Sequence, residues 1–172
     1  MIYRFIGTQF NQYIQLQKDG TNFSELSTQS QRVANVLRGS TGINSAATTQ
    51  VDCYAYFSPS DNYVSHIKYY LNPAKTQLLA DVTRMTSDPP TGTDIATSLK
   101  TYTIISKYYQ GSGVNLFTYL DSGGNALTVP ISDLRTIKGV RVTLATPGSS
   151  IAQNTNQTIS VQVSLRNRKV NL

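Results

Sequence analysis

Apolar and small side chains recur every three or four positions at Ile2, Phe5, Ile6, Phe10, Tyr13, Ile14 and Leu16. They recur again at Phe23, Leu26, Ser30, Val33, Ala34 and Leu37. This spacing keeps them on one face of an α-helix. Arg38 falls in the last expected turn and Gly39 just beyond it, a cation near the C-terminal dipole and a residue suited to a left-handed cap. The pattern predicts a helix of roughly 30–35 residues, or about 50 Å at about 1.5 Å per residue. Its middle, QLQKDGTN (Gln15 to Asn22), is polar and holds Gly20, which weakens a helix by about 1 kcal/mol relative to Ala. We therefore expect a helical segment over 1–39, with an outer part, 1–22, that projects and an inner part, 23–39, that packs on the rest.

Beyond Gly39 the period falls to two. GSTGINSAATTQ reads as a loop. VDCYAYFS (Val51 to Ser58) and YVSHIKYYL (Tyr63 to Leu71) alternate around the turn PSDN and predict an antiparallel hairpin. LLADVTRMT (Leu78 to Thr86) and TYTIISKYY (Thr101 to Tyr109) read as further strands, separated by the loop SDPPTGTDIATS. NLFTYLD, SGGN and ALTVP predict a hairpin over Asn115 to Pro130, with Gly123 and Gly124 supplying positive φ in its turn. ISDLRTIKG reads as a short turn or helical bridge. VRVTLAT (Val140 to Thr146) and TISVQVSLRN (Thr158 to Asn167) pair as a closing hairpin. The expected class is α+β: a long N-terminal helix whose C-terminal half packs on an antiparallel sheet domain over 40–172.

Composition adds three constraints. Apolar residues make up 39% of the 172 residues and charged ones only 14%, so neutral polar groups cover much of the surface, as is common in cell-surface β-rich proteins. Cys53 is the single cysteine, which excludes an internal disulfide framework. No run approaches the roughly 18 apolar residues that cross a bilayer, and no signal peptide is visible; an extracytoplasmic location implies a targeting segment removed from this stretch. The net charge of +6 is concentrated late, at Arg135, Lys138, Arg141, Arg166, Arg168 and Lys169. If the last two strands pair, Arg141 and Arg166 or Arg168 lie on one exposed face, and the cluster as a whole is a candidate for contact with a nucleic-acid backbone or an acidic partner, with nearby tyrosines to stack on bases. The plainer reading is an edge strand protected from aggregation by its charges.

Catalytic signatures are missing. His66 is the single histidine, with no second His or Cys cluster to make it a base or a metal ligand, and reads as an ordinary strand residue. Cys53 reads as a small apolar filler in mid-strand. DSGGN (Asp121 to Asn125) offers hard oxygens, but one carboxylate is too few for a tight Ca²⁺ site and a turn explains it. No serine has a nucleophile-elbow or acid–histidine setting, and there is no phosphate loop or dinucleotide fingerprint. We expect no enzyme, no catalytic or metal residues and no cofactor.

Three stretches carry a resemblance. SELSTQSQRVANVLRGSTGINSA is similar to the helix end of the type IV pilin and type II secretion pseudopilin family, where a Gln-Arg pair (here Gln31 and Arg32) leads to a Leu-Arg-x-x-Thr segment. NLFTYLDSGGNAL resembles its Phe-x-Tyr-x-Asp-x-x-Gly hairpin, and LRTIKGVRVTLAT with ISVQVSLRNRK resembles its closing strands. The order of these stretches is nearest the larger minor pilins and pseudopilins, the J-like or W-like class. The family's basic leader, cleavage site and apolar span are not in this sequence, so the resemblance implies a chain without the leader and the membrane-spanning half of the helix. It further implies a structural subunit of a pilus-like or secretion-like filament, acting in its initiation or tip complex. Ile2, Phe5, Ile6, Phe10, Tyr13 and Ile14 would face membrane or neighbouring subunits. Partners would be other pilin subunits and an inner-membrane assembly platform, with DNA as a further candidate. The alternative is a cell-surface DNA receptor or adhesin using the basic C-terminal face.

Overall fold

Residues 23–38 form a helix, α1, in the computed structural model, which describes residues 23–108, 114–146 and 157–165. The earlier positions of the expected helix, including Ile2, Phe5, Ile6, Phe10, Tyr13 and Ile14, lie outside the described residues. The helix buries one stripe, Leu26, Ser30, Val33, Ala34 and Leu37, at the three- and four-residue spacing that one face requires. Ser30 joins this stripe because its hydroxyl donates back to the Ser27 carbonyl at 2.9 Å. The helix ends at Gly39, but not by the expected left-handed cap. Among the described glycines only Gly124 has positive φ. Instead the Gly39 N–H is shared between the Asn35 and Val36 carbonyls, and the Ser40 N–H bonds Leu37 at 3.0 Å. A tightened last turn thus satisfies the orphan carbonyls.

Among the described residues eight strands follow, in two antiparallel sheets. The first is a five-stranded meander of β1 (Gly42–Ala47), β2 (Gln50–Ala55), β3 (Ser65–Leu71), β4 (Leu78–Arg84) and β5 (Lys100–Ile105). The second is a three-stranded meander of β6 (Phe117–Leu120), β7 (Gly139–Thr146) and β8 (Gln157–Ser164). The hairpins expected from alternation, β2 with β3 and β7 with β8, are both present.

Two expectations about strands fail. GINSAA is an edge strand, not a loop: it pairs with β2 through a two-residue turn, with its register shifted between Ile43 and Ser45. Its short alternation is broken by that irregularity, and its small neutral side chains carry little apolar signal beyond Ile43. ALTVP is not a strand. Leu120 and Ala126 make an isolated bridge, and Leu127 N–H bonds the Tyr119 carbonyl at 2.8 Å, before the chain leaves. The place beside β6 is taken by β7. In the turn between them Gly124 alone has positive φ, +82°; Gly123 does not. The Asp121 carboxylate accepts from the Gly123 and Asn125 N–H groups, each at 2.8 Å. Those bonds, with the Asn125 backbone foremost, hold its pKa below the usual carboxylate value.

One hydrophobic core joins the helix and both sheets. It contains Leu26, Val33 and Leu37 from α1, Val51, Ile67, Tyr69 and Leu78 from the first sheet, and Phe117, Tyr119, Val140 and Leu144 from the second. The fold is α+β, with a helix packed against antiparallel sheets.

Candidate functional site

The opposite face of the five-stranded sheet carries the polar chemistry. Val51, Cys53 and Ala55 are buried on β2, so Asp52 and Tyr54 turn outward, as strand alternation demands. Registry then sets His66 of β3 beside Tyr54, with Lys68 opposite Asp52 and Asp81. The Tyr54 and His66 rings lie 5.1 Å apart and tilted. Farther along this face Asp81 accepts hydrogen bonds from Thr101 at 2.6 Å and Tyr70 at 3.2 Å, and the Lys68 ammonium sits over the Tyr70 ring.

His66 is held between two carboxylates. Its Nε2 is 2.7 Å from Asp52 Oδ1, and its Nδ1 is 2.7 Å from Asp94 Oδ2. Ionised carboxylates only accept, so both contacts are hydrogen bonds at once when the ring is protonated and donates from both nitrogens. The Asn44 amide donates to Asp52 at 3.2 Å and lies 3.4 Å from His66 Nε2. Partial burial by itself would lower the His66 pKa. The hydrogen bond to Asp94, with the charge and hydrogen bond of Asp52 and the charge of Asp94, outweighs it, and the pKa is raised.

His66 is therefore not the isolated strand residue that its sequence suggests. Its partners are carboxylates, one from the neighbouring strand and one from the loop between β4 and β5. Asp52 could have been anticipated once β2 and β3 were put in register. Asp94 had no local signal, because it arrives by way of the loop. That loop is tied back by the Ile95 N–H bond to the Arg84 carbonyl at 2.8 Å and the Thr86 N–H bond to Thr93 at 3.0 Å.

The cluster's chemistry is that of an ion-paired clamp. An Asp–His pair activates a nucleophile through the second ring nitrogen, and here that nitrogen is occupied by Asp94. Cys53 is on the other face, fully buried, and burial followed by the Asp52 charge pushes its thiol up to about 12, which leaves it protonated and inert. Among the described residues no group of three or more His, Cys, Asp or Glu is disposed to hold a metal ion.

The basic candidates are only partly gathered. Arg141 is exposed on β7 and its guanidinium donates to Gln162 Oε1 on β8, at 3.0 Å from Nη2. Registry places Arg141 opposite Gln162. Arg135 lies in the short 3-10 turn Leu134–Thr136, where its N–H caps onto Asp133, and Lys138 immediately precedes β7. Arg166, Arg168 and Lys169 lie outside the described residues. Among the described residues no helix is long and apolar enough to cross a membrane.

No family model, curated protein or solved structure matches the chain.

Proposed function

We propose that this protein is a structural subunit of a pilus-like or secretion-like filament, of the minor pilin and pseudopilin kind. The observation that carries this reading is a helix docked by a single stripe on an antiparallel sheet domain, ahead of every strand in chain order. A further support is Phe23, 48% exposed at the outer end of the described helix, where an apolar ring is available to a neighbour. In this reading the helix is longer than its described part, and the fold is pilin-like. Ile2, Phe5, Ile6, Phe10, Tyr13 and Ile14 pack against helices of other subunits. Burial of that face, at about 25 cal/mol per Å² removed from water, drives assembly. Before assembly the subunit is held at the membrane by an anchor and an inner-membrane platform, and afterwards its sheet domain lies outside the cytoplasm.

The test is to express the natural reading frame in its own cell with an epitope tag in the exposed turn Ser122–Asn125. Sheared surface filaments and membranes are then probed for the tag. The tagged chain should be found in both, and Phe10→Asp should abolish filament incorporation without lowering the melting temperature of the isolated chain. Absence from both fractions would overturn the reading. So would unfolding by Phe10→Asp, because the ring would then belong to the chain's own core.

A further inference from the structure

We propose that a groove at one end of the five-stranded sheet binds a carboxylate-bearing saccharide. The groove consists of two adjoining hollows of about 260 and 320 Å³ that share Ser60, Asp61, Ser65 and Arg84. Tyr63 and Ile95 wall the first; Phe57, Lys100 and Tyr102 wall the second. The proposal does not depend on filament assembly.

Strand alternation explains why the groove exists. Leu78, Ala80 and Val82 of β4 are buried on the core face, and Arg84 is the next position on that face. On β5 the buried Ile104 shares its face with Tyr102 and Lys100. The core face of the sheet therefore continues past its apolar cover, and the uncovered end carries cations and rings instead of aliphatic side chains.

Three features select the ligand. First, neither Arg84 nor Lys100 is ion-paired among the described residues, where both close ion pairs belong to His66. Two nearby carboxylates are turned elsewhere, Asp88 accepting from Val64 N–H at 2.8 Å and Asp94 pairing with His66; Asp61, which lines both hollows, accepts from Ser58 N–H at 2.9 Å, and Arg84 and Lys100 together outweigh its charge. A guanidinium without a carboxylate partner presents a planar fork suited to one. Second, ring faces are accessible. Tyr63 is 48% and Tyr102 38% exposed; Phe57, 5.0 Å from Tyr102 in a tilted pair, packs against the core with the Arg32 guanidinium over its ring and supports Tyr102. The C–H face of a pyranose packs on such surfaces, against the negative face of the π system. Third, the Ser58 and Ser60 hydroxyls, 2.9 Å apart, can both donate and accept, as sugar hydroxyls require. One hollow falls just below and the other at the low end of the roughly 300–1,000 Å³ typical of small-molecule sites, a scale that suits one ring each. A nucleic-acid strand would need a longer run of cations to follow its phosphates.

The experiment is calorimetric titration of the whole chain at low ionic strength with three probes: trigalacturonic acid, its neutral methyl ester, and a short single-stranded oligonucleotide. The acid should bind, the ester at least tenfold more weakly and the oligonucleotide more weakly than the acid. Arg84→Gln and Tyr102→Ala should each weaken the acid at least tenfold with unchanged circular dichroism and melting. Should Tyr102→Ala disturb folding, Lys100→Gln, at an exposed position, replaces it with the same expectation. No binding of the acid, equal binding of the ester, tighter binding of the oligonucleotide, or indifference to Arg84→Gln would each overturn the proposal.

Discussion

The Tyr119 hydroxyl lies 2.9 Å from the carbonyl oxygen of Ala47, and also 2.9 Å from that of Gln50. One phenolic proton is thereby shared between the two ends of the β1–β2 turn, and β6 is fastened to the other sheet. Burial, first of all, raises the pKa of this hydroxyl, so it remains a donor at any physiological pH. Tyr119→Phe keeps the buried ring and leaves both carbonyls without that donor. The expected loss is about 1–3 kcal/mol, seen as a lower urea midpoint with an unchanged slope.

His66 predicts a pH dependence. Its folded pKa is raised above its unfolded value of about 6.5, so its contribution is complete below the unfolded pKa and is lost as pH rises through the folded pKa. The pairs are partly exposed, so the contribution is at most about 1 kcal/mol. NMR of the single imidazole should show the raised pKa. Asp94→Asn should lower it, and His66→Gln should remove the corresponding fall in stability on the alkaline side.

Gly92 controls the loop that delivers Asp94. A Cβ at this position would lie 1.7 Å from the backbone carbonyl oxygen of Ser87, so Gly92→Ala must displace the main chain. We expect a cost of roughly 1–3 kcal/mol. The diagnostic readout is the His66 pKa, which should drop toward the ordinary value as Asp94 moves away.

Helix docking rests on few side chains. Leu37 is fully buried against the core, and Leu37→Ala should cost about 2–5 kcal/mol. Each kcal/mol corresponds to roughly 2–4 °C in Tm for a chain of this size, which thermal scanning resolves.

Cys53 should be silent toward thiol reagents in the native protein at pH 8. Its thiol is buried and shifted to about 12. Labelling should follow the global unfolding rate measured in denaturant, and fast labelling of the folded chain would contradict the buried placement.

Alternation made the sheets legible where it was long and clean. VDCYAYF and SHIKYYL each set three or more core positions on one face, and the pairing of β2 with β3 followed. GINSAA lacked that redundancy: its edge strand is defined by hydrogen bonds to β2, which a run of small neutral residues does not announce. ALTVP alternates as a strand should, yet β7 takes the position beside β6, because Val140 and Val142 fill the core behind it.

Local periodicity by itself determined the helical stripe from Leu26 to Leu37, the outward polar faces and the buried, unreactive placement of Cys53. These depend on neighbours in sequence, and the strand and helix repeats carry them. Only the tertiary structure decided which polar residues meet. Asp52, His66 and Asp94 come from two strands and a loop, and the distance between charges depends on register and loop path. The groove at Arg84, Lys100 and Tyr102 has the same origin: it forms where the core's cover ends, and that boundary is set by how the helix and the second sheet pack on the first.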